Sequence, residues 1–196
     1  MSEAQVQIPT LQGQRCLLRE LRLGDAPSLA AHADDVDVWR NLFDGFPHPY
    51  TLADAEAWCG GGWREGGHVW GIEVEGQIIG CVGFEAQAGW LRCNAEIGYW
   101  IGQAFWRRGI CSEALRLVTA WAWANQPDLN RLCAGIFAWN QGSQAVARSA
   151  GYTLEAHWPQ SAFKAGHLID RVVWAAYRHQ VSPASSLSFD PLTITP

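Results

Sequence analysis

The spacing of apolar and polar residues along the chain predicts strands and helices in alternation. Leucines interleaved with charged residues over 17–22 indicate a first strand, and the helical spacing that follows predicts a helix over 26–39. The prolines of 46–50 exclude a helix there, because proline lacks the amide donor. Thr51 is a suitable N-cap for a helix over 52–59.

Three strand-like runs follow a glycine-rich stretch, and Glu75-Gly76 is a suitable turn between the first two. From Ser112 onward apolar residues recur at helical spacing, and Pro127 ends that helix. A further helix over 144–150 ends at Gly151, where a left-handed residue is needed. The strands predicted after the first cover 68–74, 77–85, 94–101, 131–139, 153–158 and 169–178.

Length and composition favour one compact domain, since 196 residues with 48% apolar side chains can bury a sizeable core. The chain has no run of about 18 apolar residues and no signal-peptide pattern, so we expect a soluble, cytoplasmic protein without a membrane partner. The net charge of -5, with Lys164 as the single lysine, argues against nucleic-acid binding. The six cysteines are too far apart for a metal-ligand cluster and are expected to be reduced.

Aromatic and acidic residues each allow two interpretations. The twelve tryptophans pack in the core or at a subunit contact, or some of them form an aromatic wall for a cationic substrate. Four aspartates near the proline-rich loop attract a cationic amine or form a solvated acidic face. They are Asp34, Asp35, Asp37 and Asp44. His48, between two prolines of that loop, is the candidate base among the histidines.

A glycine-containing loop, 106–112, joins the strand over 94–101 to the long helix. It carries Arg107 and Arg108 just before Gly109. The first turn of a helix presents unpaired N–H groups and a partial positive charge, and a glycine lets the backbone approach a ligand closely. The pattern therefore fits a pyrophosphate site, although the loop taken alone is also compatible with an exposed turn.

The run 95–101 followed by 106–115 resembles the acetyl-CoA motif of the GNAT N-acetyltransferases, in particular that of the RimJ/RimL group. The similarity continues through Asn140 and Ser143 and covers about 11–178. This resemblance implies a fold of the α/β class (α+β type), with a mixed, mostly antiparallel central sheet flanked by helices. It also implies that acetyl-CoA enters a splay between the two central strands.

The resemblance predicts an N-acetyltransferase domain over 11–179. The tail over 180–196 mixes Ser, Pro and Thr with few core-forming residues, so we expect it to be flexible or bound to a partner. Apolar aromatic residues in the final strands, Trp158 and Trp174, are compatible with a homodimer.

Family positions carried over to this sequence predict the cofactor site. The main chain around five strand residues pairs with the pantetheine arm like an added strand: Ile97, Gly98, Tyr99, Trp100 and Ile101. The pyrophosphate loop consists of Trp106, Arg107, Arg108, Gly109, Ile110, Cys111 and Ser112. Trp106 and Cys111 depart from the family's usual Q/R-x-x-G-x-G/A pattern. Asn140 hydrogen-bonds the pantetheine arm or caps the following helix, and no metal ion is implied.

Two residues are candidates for the acid–base chemistry. Glu96 is the candidate base, with a structural carboxylate as the alternative. Many GNAT enzymes carry a tyrosine as the acid where this chain has Ala147, and Ser143 is the expected substitute, or it satisfies the first turn of its helix. RimL-like proteins carry a glutamate at the position of Ala162, which puts a RimL-type protein substrate in doubt.

The resulting prediction is an acetyl-CoA dependent N-acetyltransferase. It moves the acetyl group to a primary amine by direct attack in a ternary complex, with no covalent enzyme intermediate. The acceptor is either the N-terminal α-amine of a protein or a small-molecule amine. The alternative from another functional class is a non-catalytic acetyl-CoA binding module of the same fold.

Overall fold

The computed structural model of the chain describes residues 8–178, apart from the side chains of 65 and 66. The tail predicted over 180–196 lies outside the described residues. Within the described range the strands are β1 (Leu11–Gln12), β2 (Leu17–Arg19), β3 (His68–Val74), β4 (Gln77–Ala86), β5 (Asn94–Ile101), β6 (Arg131–Phe137), β7 (Thr153–Lys164) and β8 (His167–Tyr177). The α-helices are α1 (Ala26–Ala33), α2 (Val36–Trp39), α3 (Leu52–Cys59), α4 (Ile110–Asn125) and α5 (Gln141–Ser149).

All eight strands form one sheet in the order β1-β2-β3-β4-β5-β6-β8-β7. Every neighbouring pair is antiparallel except β5 and β6, which run parallel. The parallel pair is joined through α4, as a parallel connection requires a crossover element. The expected mixed, mostly antiparallel sheet flanked by helices is therefore confirmed.

Helices cover both faces of the sheet, and strand side chains alternate between those faces. On one face, Trp121 of α4 contacts Trp70 of β3, with ring centroids 5.2 Å apart. On the face covered by α1 and α3, Trp100 of β5 contacts Phe46 at 5.7 Å. The residues of β5 that share a face with Trp100 are Glu96 and Gly98. The residues that face α4 and α5 are Ile97, Tyr99 and Ile101.

Local signals predicted several elements correctly. Helix α3 occupies the predicted residues, and its N-cap Thr51 forms a capping box with Asp54. Glu75 and Gly76 both have positive φ, as the hairpin turn requires. The single helix predicted over 26–39 is wrong, because Asp35 accepts hydrogen bonds from the backbone N–H groups that begin α2. The side-chain cap thus starts a second helix, whereas the periodicity alone predicts one continuous helix.

The last two strands are longer than the sequence indicates. β7 continues past Pro159 to Lys164, with a bulge after Trp158. A proline is tolerated here because β7 is an edge strand and needs fewer amide donors. Trp174 is 4% exposed, so the expectation that it contributes to a subunit contact is wrong. Trp158 is 45% exposed on the edge strand and remains available for such a contact.

The central feature for function is the separation of β5 from β6. The two strands pair only at Asn94, Ala95 and Glu96. Beyond Glu96 they have no paired residues, so their backbones diverge into an open splay.

No helix between residues 8 and 178 is long and apolar enough to cross a membrane.

Candidate active site

The splay opens into a cleft of about 1020 Å³, bounded by β5, β6, the starts of α4 and α5, and the segment 37–44. Among the site residues predicted from the sequence, those that line it are Glu96, Ile97, Gly98, Tyr99, Trp100, Ile101, Trp106, Arg107, Gly109, Ile110, Cys111, Ser112, Asn140 and Ser143. Arg108 is the exception. Its guanidinium lies over the ring of Phe105, 5.1 Å from the centroid, and it does not line the cleft.

The loop before α4 has the geometry of an anion site. Gly109 is the N-cap of α4 and has a left-handed backbone, with φ 74° and ψ 0°. No side chain caps this helix end, so the N–H groups of its first turn are left for a ligand. Trp106 donates from Nε1 to the carbonyl of Ile101 at 2.9 Å, which ties the loop to the end of β5. This bond gives the unusual tryptophan a structural role.

The acidic residue in the first turn of α4 is directed away from the cleft. Glu113 accepts the backbone N–H groups of Gln14 at 3.1 Å and Arg15 at 2.7 Å. Burial alone would raise the pKa of Glu113, but these hydrogen bonds outweigh burial and lower it. The turn between β1 and β2 therefore holds a carboxylate whose charge would otherwise oppose an anion at the helix start.

Arg15 was missed by the sequence analysis. Its Nε lies 3.5 Å from the point that a Cβ on Gly109 would occupy, so a cation from the first hairpin stands beside the loop. No local signal could have found it, because the two residues are 94 positions apart in the chain.

A closed pair of hydrogen bonds connects α5 to β5. Ser143 donates from Oγ to Tyr99 Oη at 3.0 Å, and Tyr99 Oη donates to the backbone carbonyl of Ser143 at 3.0 Å. Burial raises the pKa of Tyr99 above its ordinary value, and its bond with Ser143 only partly offsets this, so the phenol stays protonated. Asn140 accepts the backbone N–H of Ser143 at 2.9 Å and thus caps α5. The role of the Tyr99 hydroxyl was missed by sequence reasoning.

Glu96 is exposed at the last paired position before the splay. It forms no ion pair or hydrogen bond through its side chain with any residue in the range 8–178. The alternative interpretation, a carboxylate that pairs with a neighbouring arginine, stays open, because Arg171 Nη1 and Glu96 Oε1 both lie near one point over Gly135 without forming an ion pair. Glu96 faces the side of α1 and α3, whereas Ser143 contacts β5 from the other face. The candidate base and the candidate acid thus approach the splay from opposite sides of the sheet.

The aspartates near the proline-rich loop have structural contacts. Asp35 caps α2, Asp34 accepts the N–H of Tyr50, and Asp44 accepts the N–H of Ala165 at 3.1 Å. Asp37 and Asp44 line the cleft as well. His48, the candidate base of this loop, stacks on Trp39 with centroids 5.0 Å apart and does not line the cleft.

Three further positions bear on the acid, base or nucleophile: Ala147, Ala162 and Cys111. Ala147 is fully buried against the core, and Ala162 lines the cleft, so neither position supplies an acid or a base. Burial raises the pKa of the Cys111 thiol to about 12, which leaves it protonated and not nucleophilic. In the described part of the chain no three His, Cys, Asp or Glu side chains are grouped so as to hold a metal ion.

Comparison with known proteins identifies the family. Residues 15–153 match the model of the acetyltransferase (GNAT) domain, so the chain belongs to the GNAT N-acetyltransferase family. It is 28% identical over 173 residues to YoaA, an uncharacterized N-acetyltransferase of Bacillus subtilis, covering 85% of this chain and 96% of YoaA.

Two solved structures have a similar fold. RimL, a ribosomal α-N-protein acetyltransferase in complex with coenzyme A, superposes with a TM-score of 0.74 at 23% identity, covering 86% of this chain and 98% of RimL. MccE, a microcin self-immunity acetyltransferase in complex with acetyl-CoA and AMP, superposes with a TM-score of 0.74 at 19% identity, covering 85% of this chain and 94% of MccE. At these identities the likeness concerns the fold. The predicted GNAT fold is confirmed, and the chain is similar to RimL in its fold.

Proposed function

We propose that this protein uses acetyl-CoA to acetylate a primary amine by direct attack in a ternary complex. The observation that carries the proposal is the cleft itself. A left-handed glycine loop at the start of α4, the unpaired edges of β5 and β6, and the exposed carboxylate of Glu96 all open into it. These are the parts needed to bind a pyrophosphate, an extended arm and an amine in one place.

The residues around the splay fit coenzyme A. Gly98 leaves open space, because a Cβ there would meet no heavy atom within 4 Å. The backbone groups of 97–101 have no partner strand on the β6 side and are suited to pair with the pantetheine arm. The N–H groups at the start of α4, with Arg107 beside them, are suited to the pyrophosphate. Acetyl-CoA supplies the activated acyl group, and the coenzymes in the RimL and MccE structures support this choice.

Two residues on opposite faces of the sheet, Glu96 and Ser143, assist the proton transfers. Glu96 accepts a proton from the incoming ammonium, since only a neutral amine has the lone pair for attack. An α-amine titrates about 2.5 pH units below a lysine amine, so it needs about 3.5 kcal/mol less for deprotonation. Ser143 lies on the side of the departing thiol, where its hydrogen turns from Tyr99 Oη to stabilise the thiolate by a hydrogen bond, and the thiolate then takes its proton from water.

The test is CoA release from acetyl-CoA by the purified protein, detected with a thiol reagent. The acceptors are N-terminal peptides, amino acids, polyamines and aminoglycosides. Amine-dependent release supports an acetyltransferase and names the acceptor class. Tight acetyl-CoA binding without release for any acceptor would instead support the non-catalytic binding module.

A further inference from the structure

The carboxylate of Glu96 and the guanidinium of Arg171 approach each other over an exposed glycine of the cleft, Gly135. A Cβ on Gly135 would lie 3.4 Å from Glu96 Oε1 and 3.3 Å from Arg171 Nη1. The two side chains come from β5 and β8, the strands on either side of β6, so they reach the same point from opposite directions. Both line the cleft. The missing side chain of Gly135 keeps the space between the two charges open.

Arg171 is held in place without a carboxylate partner in the described part of the chain. Its guanidinium lies over the ring of Trp158, 5.2 Å from the centroid, and its Nε donates to Ser161 Oγ at 3.4 Å. The neighbouring carboxylate, Asp170, is bonded to His157 Nε2 at 3.0 Å. A half-buried guanidinium with one edge open to a cleft is a ready partner for an anion, because its planar fork matches a carboxylate.

The geometry points to an acceptor of the α-amino acid class, and this inference rests on the acetyl transfer proposed above. The carboxylate of the acceptor binds Arg171, its amine lies at Glu96, and its backbone lies over Gly135. A peptide N-terminus has an uncharged carbonyl where the amino acid has its carboxylate, so it would leave the charge of Arg171 unneutralised. A phosphate is disfavoured because a second negative charge would face Glu96 with one guanidinium to balance it.

The remaining wall of the cleft favours an apolar side chain on that amino acid. Three aromatic rings that line the cleft are strongly exposed: Phe43 at 67%, Trp139 at 44% and Phe163 at 58%. Covering such rings removes apolar surface from water, which favours an apolar partner. Phenylalanine and leucine are therefore suitable probes.

The first measurement compares acceptors that differ only in the carboxylate. CoA release is followed with phenylalanine, phenylalaninamide and phenethylamine, for the unaltered protein and for Arg171→Gln. We expect phenylalanine to be the best acceptor, and Arg171→Gln to lower its kcat/KM about 30-fold, mainly through KM, while phenylalaninamide is unaffected. Arg148→Gln is the matched control, because Arg148 also stacks on a tryptophan, Trp174, but does not line the cleft.

The second measurement needs no turnover. Calorimetric titration compares N-acetylphenylalanine with N-acetylphenylalaninamide, each added to the protein with CoA present. We expect the carboxylate form to bind at least about tenfold more tightly, and Arg171→Gln to abolish that preference. Equal binding of the two forms, no binding of the carboxylate form, or an unchanged preference in Arg171→Gln overturns the inference.

The two measurements separate the inference from the function on which it rests. CoA release with peptide amines, together with equal binding of the two probes, would leave acetyl transfer standing and overturn the amino-acid site. Carboxylate-selective binding that depends on Arg171, with no CoA release for any acceptor, would support the site and overturn the proposed transfer.

Discussion

Ser143 Oγ, in the first turn of α5, donates a hydrogen bond to Tyr99 Oη at 3.0 Å, on the face of β5 that α4 and α5 cover. The phenol is protonated and donates its own hydrogen to the carbonyl of Ser143. The bond to Tyr99 fixes the position of the serine oxygen at the wall of the cleft, so the hydroxyl needs only to turn its hydrogen from the phenol toward the cleft to reach a departing thiolate.

Removing either hydroxyl should slow turnover without weakening cofactor binding. We expect Ser143→Ala to lower kcat about 100-fold and Tyr99→Phe about tenfold, with the Kd for CoA changed less than about threefold. Steady-state kinetics and calorimetry measure the two quantities. Tyr152→Phe is the control, because its hydroxyl lies 2.8 Å from Thr119 Oγ and does not line the cleft. Equal losses in Tyr99→Phe and Tyr152→Phe would contradict a role for the Tyr99–Ser143 bond in turnover.

Glu96→Gln should affect the reaction most at low pH. There the amine is almost wholly protonated, so the loss of the carboxylate should cost about 100-fold in kcat/KM, and the difference should shrink as the pH rises. The check is a full pH profile. Glu85→Gln provides a matched change of charge, since Glu85 pairs directly with Glu96 from β4 and does not line the cleft. A profile for Glu96→Gln identical to that of the unaltered protein would remove Glu96 from the mechanism.

Arg107 and Arg108, the two adjacent arginines of the loop before α4, should contribute unequally to the affinity for CoA. Arg107 lines the cleft and has a positive φ of 63°, so Arg107→Asn removes the charge with a residue that tolerates this backbone. We expect it to raise the Kd for CoA about tenfold at low salt, and less as salt screens the pyrophosphate. Arg108→Gln should change the Kd less than about threefold, because Arg108 packs on Phe105. Equal effects in calorimetry at two salt concentrations would show that the position of Arg108 changes on binding.

The carboxylate of Glu113 should contribute stability that depends on pH. Its pKa is lowered in the folded protein, so its contribution is present above the unfolded pKa and is lost as the pH falls through the folded pKa. Glu113→Gln should lower the free energy of unfolding by about 1 to 3 kcal/mol at neutral pH, and by less at low pH.

Urea unfolding at several pH values between about pH 3 and pH 7 provides the check, with the free energy of unfolding in water obtained at each pH by linear extrapolation. Glu75→Gln, in the exposed hairpin turn, is the control and should show little effect. A loss in Glu113→Gln that is the same at every pH would mean that the carboxylate charge is not responsible.

Elements with local signals could be predicted from the sequence. β3, β5 and α3 occupy the predicted residues, because alternation, a capping threonine and the Glu75-Gly76 turn all act within a few positions. The loop over 106–112 was recognisable for the same reason, as a strand, a glycine and a helix follow one another directly. The break before α2 was not, because the helical periodicity runs through it and only the cap at Asp35 interrupts it.

The sequence by itself determined the family, the order of most elements and the segments that contribute to the cleft. The tertiary structure alone decided which side chains meet there. Ser143 and Tyr99 are 44 positions apart, Glu113 and Arg15 are 98 apart, and each contact joins a helix to a strand or a turn that is distant in the chain. The physical reason is that a strand residue's partners are set by pairing and by the face it occupies, and neither is a property of its sequence neighbours. The approach of Glu96 and Arg171 to one point over Gly135 follows from the strand order β5-β6-β8, which only the folded sheet establishes.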